Sequence, residues 1–233
     1  MPVALITGAS RGFGHATARA LAGRGWSLVV GARGEADLTG AVRGLPDVVA
    51  VPGDVTSAGH RADLAAAVSR FGHLDLLVNN ASSLGPSPLP ALRSYDLGAL
   101  RLVFETNVIA PLALIQLLAE SLGKSGGTII NVSSDAAVEA YQGWGGYGSS
   151  KAALDQITNV LATEESSLRC YAFDPGDMRT EMHQQAFPGE DISDRPEPDS
   201  VVPALLRLID ERPPSGRYRA ADLTVSSPAE VTS

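Results

Sequence analysis

The sequence predicts an α/β fold, in which one doubly wound parallel β-sheet is covered on both faces by helices within a single domain. Three observations carry this prediction. Short runs rich in Val, Ile and Leu recur without polar alternation, as strands buried on both faces require. Longer stretches of helical periodicity separate them, and strand–helix repetition implies parallel pairing. A glycine-rich turn joins the first apolar run to the first helical one. The length of 233 residues suits one such domain.

The elements follow in order. The first strand is Val3–Thr7, and after the glycine-rich turn a helix covers Gly14–Gly23. Strand Ser27–Ala32 leads to a helix over Ala36–Gly44, and strand Val48–Val51 to one over Ser57–Phe71. A fourth strand, Leu74–Asn79, precedes a long apolar helical stretch around Leu97–Leu122. Its part around Val103–Leu118 is apolar on most faces, so the sheet should bury one side and another subunit could bury the other. Strand Thr128–Val132 is followed, past a glycine-rich bend, by a helix over Gly148–Ala162 with Leu154, Ile157 and Leu161 on one face. The sixth strand is Leu168–Phe173.

Beyond it the character changes. About residues 177–199 the chain is polar and carries Pro188, Pro196 and Pro198; a loop with at most a short helix is expected, and long loops in compact domains commonly act as lids. A helix over Ser200–Asp210, a last strand within Gly216–Leu223 and a frayed tail at about 225–233 complete the chain.

Composition narrows the function. With 44% hydrophobic and 19% charged residues the chain is not disordered as a whole. A net charge of −8 argues against a nucleic-acid partner. The single cysteine, Cys170, cannot close an intramolecular disulfide, which points to a reducing compartment. Val3–Ile6 is too short for a signal-peptide core, and the run Val108–Ala119, interrupted by Pro111 and Gln116, falls short of the roughly 20 residues of a membrane span. A cytoplasmic protein without a membrane partner is expected. His15, His60, His73 and His183 lack ligand spacing, so no metal is expected.

The turn reads Thr7-Gly8-Ala9-Ser10-Arg11-Gly12-Phe13-Gly14. Glycines there permit the tight strand-to-helix passage and bring backbone amides close to a pyrophosphate at the helix N-terminus. This is a Rossmann-type dinucleotide site by context.

From here the sequence resembles the short-chain dehydrogenase/reductase family, over roughly residues 3 to 180. Besides the glycine motif, the family's landmarks match Asp54-Val55, Asn79-Asn80-Ala81-Ser82, Asn107, Ser134, Tyr147 with Lys151, and the segment from Pro175 through Gly176 and Met178 to Thr180. The resemblance implies an oxidoreductase of ketoreductase or carbonyl-reductase type, moving hydride between nicotinamide and a carbonyl or secondary alcohol of a small organic molecule. It implies a catalytic set of Asn107, Ser134, Tyr147 and Lys151. Tyr147 would donate a proton to the carbonyl oxygen, Ser134 would hydrogen-bond the same oxygen, and Lys151 would hold the ribose and tune Tyr147. Asn107 would hold a water linking Lys151 to solvent. The cofactor would lie on Gly8, Ser10, Arg11, Gly12, Phe13, Gly14, Arg33, Asp54, Val55, Asn80 and Ala81, and on Tyr147, Lys151, Pro175, Gly176, Met178 and Thr180. The family also implies a homodimer or homotetramer. Ser133 is set aside as the catalyst because adjacent residues in an extended strand end face opposite ways.

Three departures stand out. Asn-Asn-Ala-Ser replaces the family's Asn-Asn-Ala-Gly, the segment from Glu164 to Pro175 is about three residues short of the family norm, and the C-terminal end is abbreviated.

The residues themselves refine this. Tyr147 and Lys151 are four apart at a helix start, hence on one face, and a nearby ammonium favours the phenolate. The second strand ends Val30-Gly31-Ala32-Arg33, without an acid for the adenosine 2′-hydroxyl. Arg33 and Arg11 could instead clamp a 2′-phosphate, so NADP(H) is expected over NAD(H). Ser82, Tyr141, Trp144 and His183 are candidate substrate contacts. Two rival readings share these features: a non-catalytic NADP(H)-binding sensor, and an isomerase or dehydratase on the same scaffold.

Overall fold

The structure, a computed structural model, describes residues 1–223. Seven parallel strands form one sheet: β1 Val3–Thr7, β2 Ser27–Ala32, β3 Val48–Pro52, β4 Leu76–Asn79, β5 Thr128–Val132, β6 Arg169–Asp174 and β7 Gly216–Arg219. Their order across the sheet is β3-β2-β1-β4-β5-β6-β7. The direction of winding reverses between β1 and β4, and ligands of doubly wound sheets bind at that crevice, beyond the carboxyl ends of the strands.

The strands alternate their burden between two cores. On β1, Ala4 and Ile6 join Val30, Val78, Phe173 and Leu205 on one face, under the helices α1 Gly12–Gly23 and α8 Pro198–Glu211. Val3 and Leu5 join Val29, Leu77, Leu114 and Ile129 on the other, under α3 Ala58–Ser69 and α5 Ala110–Ser125. Because both faces are covered, the strands need no polar alternation, which is why their apolar runs located them to within two residues. Cys170, on β6, is fully buried, and burial pushes its thiol up to about 11.

Four features differ from expectation. The apolar stretch is one helical column, Leu97–Ser125, made of α4 Leu97–Phe104, a π-turn Glu105–Ile109 and α5. By length and composition alone this column could cross a membrane, yet Leu114, Leu118 and Leu122 pack into the core. The helix after the glycine-rich bend, α6, spans Gly145–Glu164 and so starts three residues early. Gly148 allows this by lying against the Ala136 carbonyl, where a Cβ would come to 2.5 Å. The stretch Gly216–Leu223 is strand only to Arg219, and Ala220–Leu223 turns into the short helix α9. His60, in or beside a helix read from the sequence as a surface one, is buried against Gly53.

The stretch 177–199 carries one short helix, α7 Glu181–Ala186, before α8 begins. The expected tail at about 225–233 lies outside the described residues.

Candidate active site

The glycine turn is built for a close-fitting anion. Gly8 and Gly12 have φ of +68° and +56°, which only glycine adopts without strain. A Cβ on Gly14 would meet the Gly8 carbonyl at 2.5 Å and Asn80 Nδ2 at 2.3 Å. Asn80 Nδ2 donates to the carbonyls of Thr7 and Gly8, and Thr7 Oγ1 accepts from the backbone N–H of Asn80 and Ala81. This stitches the β1 and β4 ends together. Helix α1 opens with no side-chain cap and no acid in its first turn, so its N-terminal amides are available to a phosphate. The fit to a dinucleotide is good.

The other residues expected to contact a cofactor follow the carboxyl ends of β1, β2, β3 and β6, and Phe13 needs one qualification. Phe13 is 4% exposed and stacks on Phe173 at 5.8 Å, so only its backbone can meet a ligand. Ser10 and Arg11 border an open depression of about 320 Å³ shared with His15, Asp37 and Ala41. Arg33 is exposed at the end of β2. Burial raises the Asp54 carboxyl, but the N–H and hydroxyl of Thr56, with Arg33 and His60 nearby, hold it below its ordinary value. Val55 is buried beside it. Across the groove Pro175 is buried, Gly176 has φ +73°, and Met178 packs against the core. Thr180 caps α7, and its methyl would lie 3.5 Å from a Cβ on Gly12. Arg11 pairs with Glu181 at 2.5 Å, joining the glycine turn to α7.

The residues expected to be catalytic lie beyond the ends of β4 and β5. The Ser82 and Ser134 hydroxyls lie close enough to the Tyr147 phenol to act on its ionisation. Burial pushes the phenol above its ordinary value, against the opposing effect of those two hydroxyls. Ser134 Oγ donates to Asp135 Oδ1 at 2.9 Å and accepts from Ala136 N–H. Ser133 is buried and turned the other way, toward Asp155. Lys151 is 2% exposed; its Nζ donates to the Val132 carbonyl at 2.7 Å and lies 5.5 Å from the Tyr147 ring centre. Burial lowers this ammonium to about 8, with Asp155 resisting.

Asn107 is placed by the π-turn and wholly buried. Its Oδ1 accepts from Ser82 Oγ and Ser83 N–H, and its Nδ2 donates to the Ser83 carbonyl and Ser150 Oγ. A primary amide has two donor and two acceptor positions, so the side chain is fully committed to protein. A relay water at Asn107, as the resemblance implies, would therefore have to be held by its backbone. Ser82, which stands where the family has glycine, thus bridges Asn107 and Tyr147.

Sequence reasoning missed a polar assembly behind this set. Arg217 on β7 donates through Nε to Asp155 (3.1 Å) and through Nη2 to Asp174 and to the Ser134 carbonyl, both at 2.9 Å. Its partners lie 43 to 83 residues away in the chain, so no local motif could have revealed it. Asn79, Asn131 and Thr158 form a buried hydrogen-bonded row tying β4 and β5 to α6.

An apolar wall stands over Tyr147. Leu84, Ala136, Tyr147 and Ala186 form a buried cluster flanked by Leu89, Trp144, Met182 and Phe187. Trp144 meets the Tyr147 ring edge-on at 5.8 Å and Phe187 at 5.9 Å. Tyr141 lies at the rim, 46% exposed, and donates to Asp135. His183 does not present a polar atom to the site: its ring lies 4.9 Å from Phe187, Nε2 accepts from Arg195, and Nδ1 faces Asp177 at 3.7 Å.

A Rossmann-type domain with a glycine turn at its first strand–helix junction is the architecture of a nicotinamide-dependent oxidoreductase. Residues 2–191 match the family described as short chain dehydrogenase, and the chain belongs to that family. It is 36% identical to the L-fucose dehydrogenase of Rattus norvegicus over 186 residues, 78% of this chain and 68% of that one. With the sepiapterin reductase of the same species it shares 35% over 202 residues (79% and 77%), and with the L-xylulose reductase of Bos taurus 33% over 228 residues (90% and 89%). Among solved structures, a short-chain dehydrogenase from Pseudomonas syringae superposes with a TM-score of 0.88 at 33% identity, over 94% of each chain. An alcohol dehydrogenase from Thermococcus sibiricus complexed with 5-hydroxy-NADP gives 0.82 at 27% identity, over 94% and 95%.

Proposed function

We propose that the protein is an NADP(H)-dependent carbonyl reductase in which Ser134, Tyr147, Lys151 and Asn107 form the catalytic set. The observation that carries this reading is the buried Lys151, whose ammonium lies 5.5 Å from the Tyr147 ring centre, with the Ser82 and Ser134 hydroxyls acting on the same phenol. A bound nicotinamide would supply the hydride, which no side chain can. Tyr147, neutral because burial opposes the phenolate, holds the proton that the carbonyl oxygen must gain. Ser134 can rotate its hydroxyl from Asp135 toward that oxygen and stabilise its developing charge. Lys151 presents its ammonium beneath Tyr147, where it favours loss of the phenolic proton. Asn107 fixes Ser82 and Ser83 around that centre. Tyr147→Phe is expected to lower kcat by at least about a thousandfold while leaving the cofactor Kd within a few-fold. Full turnover by this variant would refute the assignment.

The preference for NADP(H) rests on Arg33, free at the end of β2 among the described ion pairs, and on Arg11 beside the depression. Several structures of similar proteins hold NADP or NADPH. Charge-assisted bonds of this kind contribute about 1.5–3 kcal/mol. Arg33→Ala should therefore weaken NADPH roughly tenfold or more in fluorescence titration and leave NADH unchanged. Equal affinity for the two cofactors in the unmodified protein would refute the preference.

A further inference from the structure

We propose that the substrate of this site is a ketone with a ring-bearing, largely apolar body and no negative charge, and that polyhydroxylated and carboxylated ketones are discriminated against. The inference rests on the carbonyl-reductase reading of Tyr147 and deepens it.

The first ground is the wall. A substrate carbonyl at the Tyr147 hydroxyl would have Leu84, Leu89, Trp144, Met182 and Phe187 as apolar surroundings, because these side chains pack in or against the cluster that contains the tyrosine. Trp144 stands edge-on to Tyr147 and tilted against Phe187. A flat ring in place of either contact keeps the aromatic packing, since offset and edge-to-face pairs are both favourable.

The second ground is what the polar groups of the covering segment already do. Gln184 Nε2 donates to the carbonyls of Phe187 and Glu190, and Gln185 Nε2 to Glu181. Ser87 Oγ donates to the Gln185 carbonyl, and Ser83 Oγ accepts from Gly85 N–H. Both His183 nitrogens face Arg195 and Asp177. The hydroxyls of Ser82 and Ser134 meet the reacting oxygen's position rather than the body of a substrate. A polyol would therefore bury hydroxyls without partners, and each such group costs on the order of tenfold in affinity.

The third ground is charge. Asp135, Glu139 and Asp177 all act on the Tyr141 hydroxyl at the rim. Among the described residues Asp177 has a cationic partner in Arg195, whereas no ion pair reaches Asp135 or Glu139. An incoming carboxylate would meet unbalanced negative charge. A neutral or cationic substrate would not.

The test compares acetophenone, phenylglyoxylate and a ketopentose at fixed reduced cofactor, with turnover followed by absorbance and binding by saturation-transfer NMR on the unmodified protein. Acetophenone is expected to exceed phenylglyoxylate about tenfold in kcat/KM and the ketopentose about a hundredfold. Trp144→Ala and Phe187→Ala should each raise its KM about tenfold while the cofactor Kd stays within twofold. A ketopentose or phenylglyoxylate turned over as well as acetophenone would overturn the inference and leave the reductase reading standing. If no ketone is reduced, yet acetophenone shows saturation transfer that Phe187→Ala removes, the pocket inference stands and the reductase reading falls. No transfer from acetophenone in any state, with no turnover, overturns both.

Discussion

Lys151 shows how much a single burial can set. The side chain is 2% exposed and its ammonium is lowered to about 8 by loss of solvent. Below that pH the cation is present beneath Tyr147; above it the cation is lost. In the free protein, kcat/KM for reduction should therefore fall as pH rises through about 8 rather than through the ordinary lysine value near 10.4. A pH–rate profile checks this; a flat profile to pH 10 would contradict it. The stability term has the opposite slope. Between about pH 8 and the ordinary lysine value the unfolded chain binds more protons than the native one, so this group's contribution rises with pH. At this scale the sequence was informative: the four-residue spacing put Tyr147 and Lys151 on one face, and strand alternation separated Ser134 from Ser133. The fates of Ser82 and His183 were not legible, because hydrogen-bond partners such as Asn107 and Arg195 are chosen by tertiary contact.

Among elements, β7 does more than close the sheet. Through Arg217 it holds the Ser134 carbonyl and sits between Asp155, one turn beyond Lys151, and Asp174 at the end of β6. All three side chains are mostly buried, at 22%, 12% and 4% exposure. Removing the cation leaves two carboxylates poorly compensated. Arg217→Gln should cost about 2 kcal/mol, a Tm loss of about 4–8 °C for a chain of this size, and Asp155→Asn added to it should restore part of that loss. Calorimetry of both variants decides the matter; an unchanged Tm in the single variant would mean the assembly is inert. Element boundaries were legible where apolar runs are covered on both faces, as in β1, β2 and β5. They failed at the start of α6, since glycines read as breakers until close packing against Ala136 favours them, and at the π-turn, whose extra residue per turn leaves no signature in an apolar run.

At the scale of the molecule, the long column from Leu97 to Ser125 buries one side and leaves Leu97, Leu102, Ile109 and Leu117 at 62%, 68%, 47% and 52% exposure. Apolar patches of this kind mark association surfaces, and a symmetric pair of columns would cover them. We expect a homodimer or homotetramer in sedimentation velocity, and a monomer on Leu102→Asp with Leu117→Asp. A monomeric unmodified protein would overturn this. The net charge of −8 belongs to the same scale. An acidic molecule must gather its cations locally to hold a phosphorylated cofactor, and Arg11, Arg33 and Lys151 are gathered at the sheet's carboxyl end. Arg11 is meanwhile engaged by Glu181, so a phosphate there competes with a carboxylate.

The lone thiol of Cys170 has a practical consequence. It lies inside the sheet, on β6, with no exposed surface. A thiol reagent can reach it only when the strands part, so its modification rate is an intrinsic clock for the breathing of the sheet. Cofactor or substrate that tightens the fold would slow that clock. A cysteine introduced at any surface position would, by the same token, be the sole reactive handle on the folded protein.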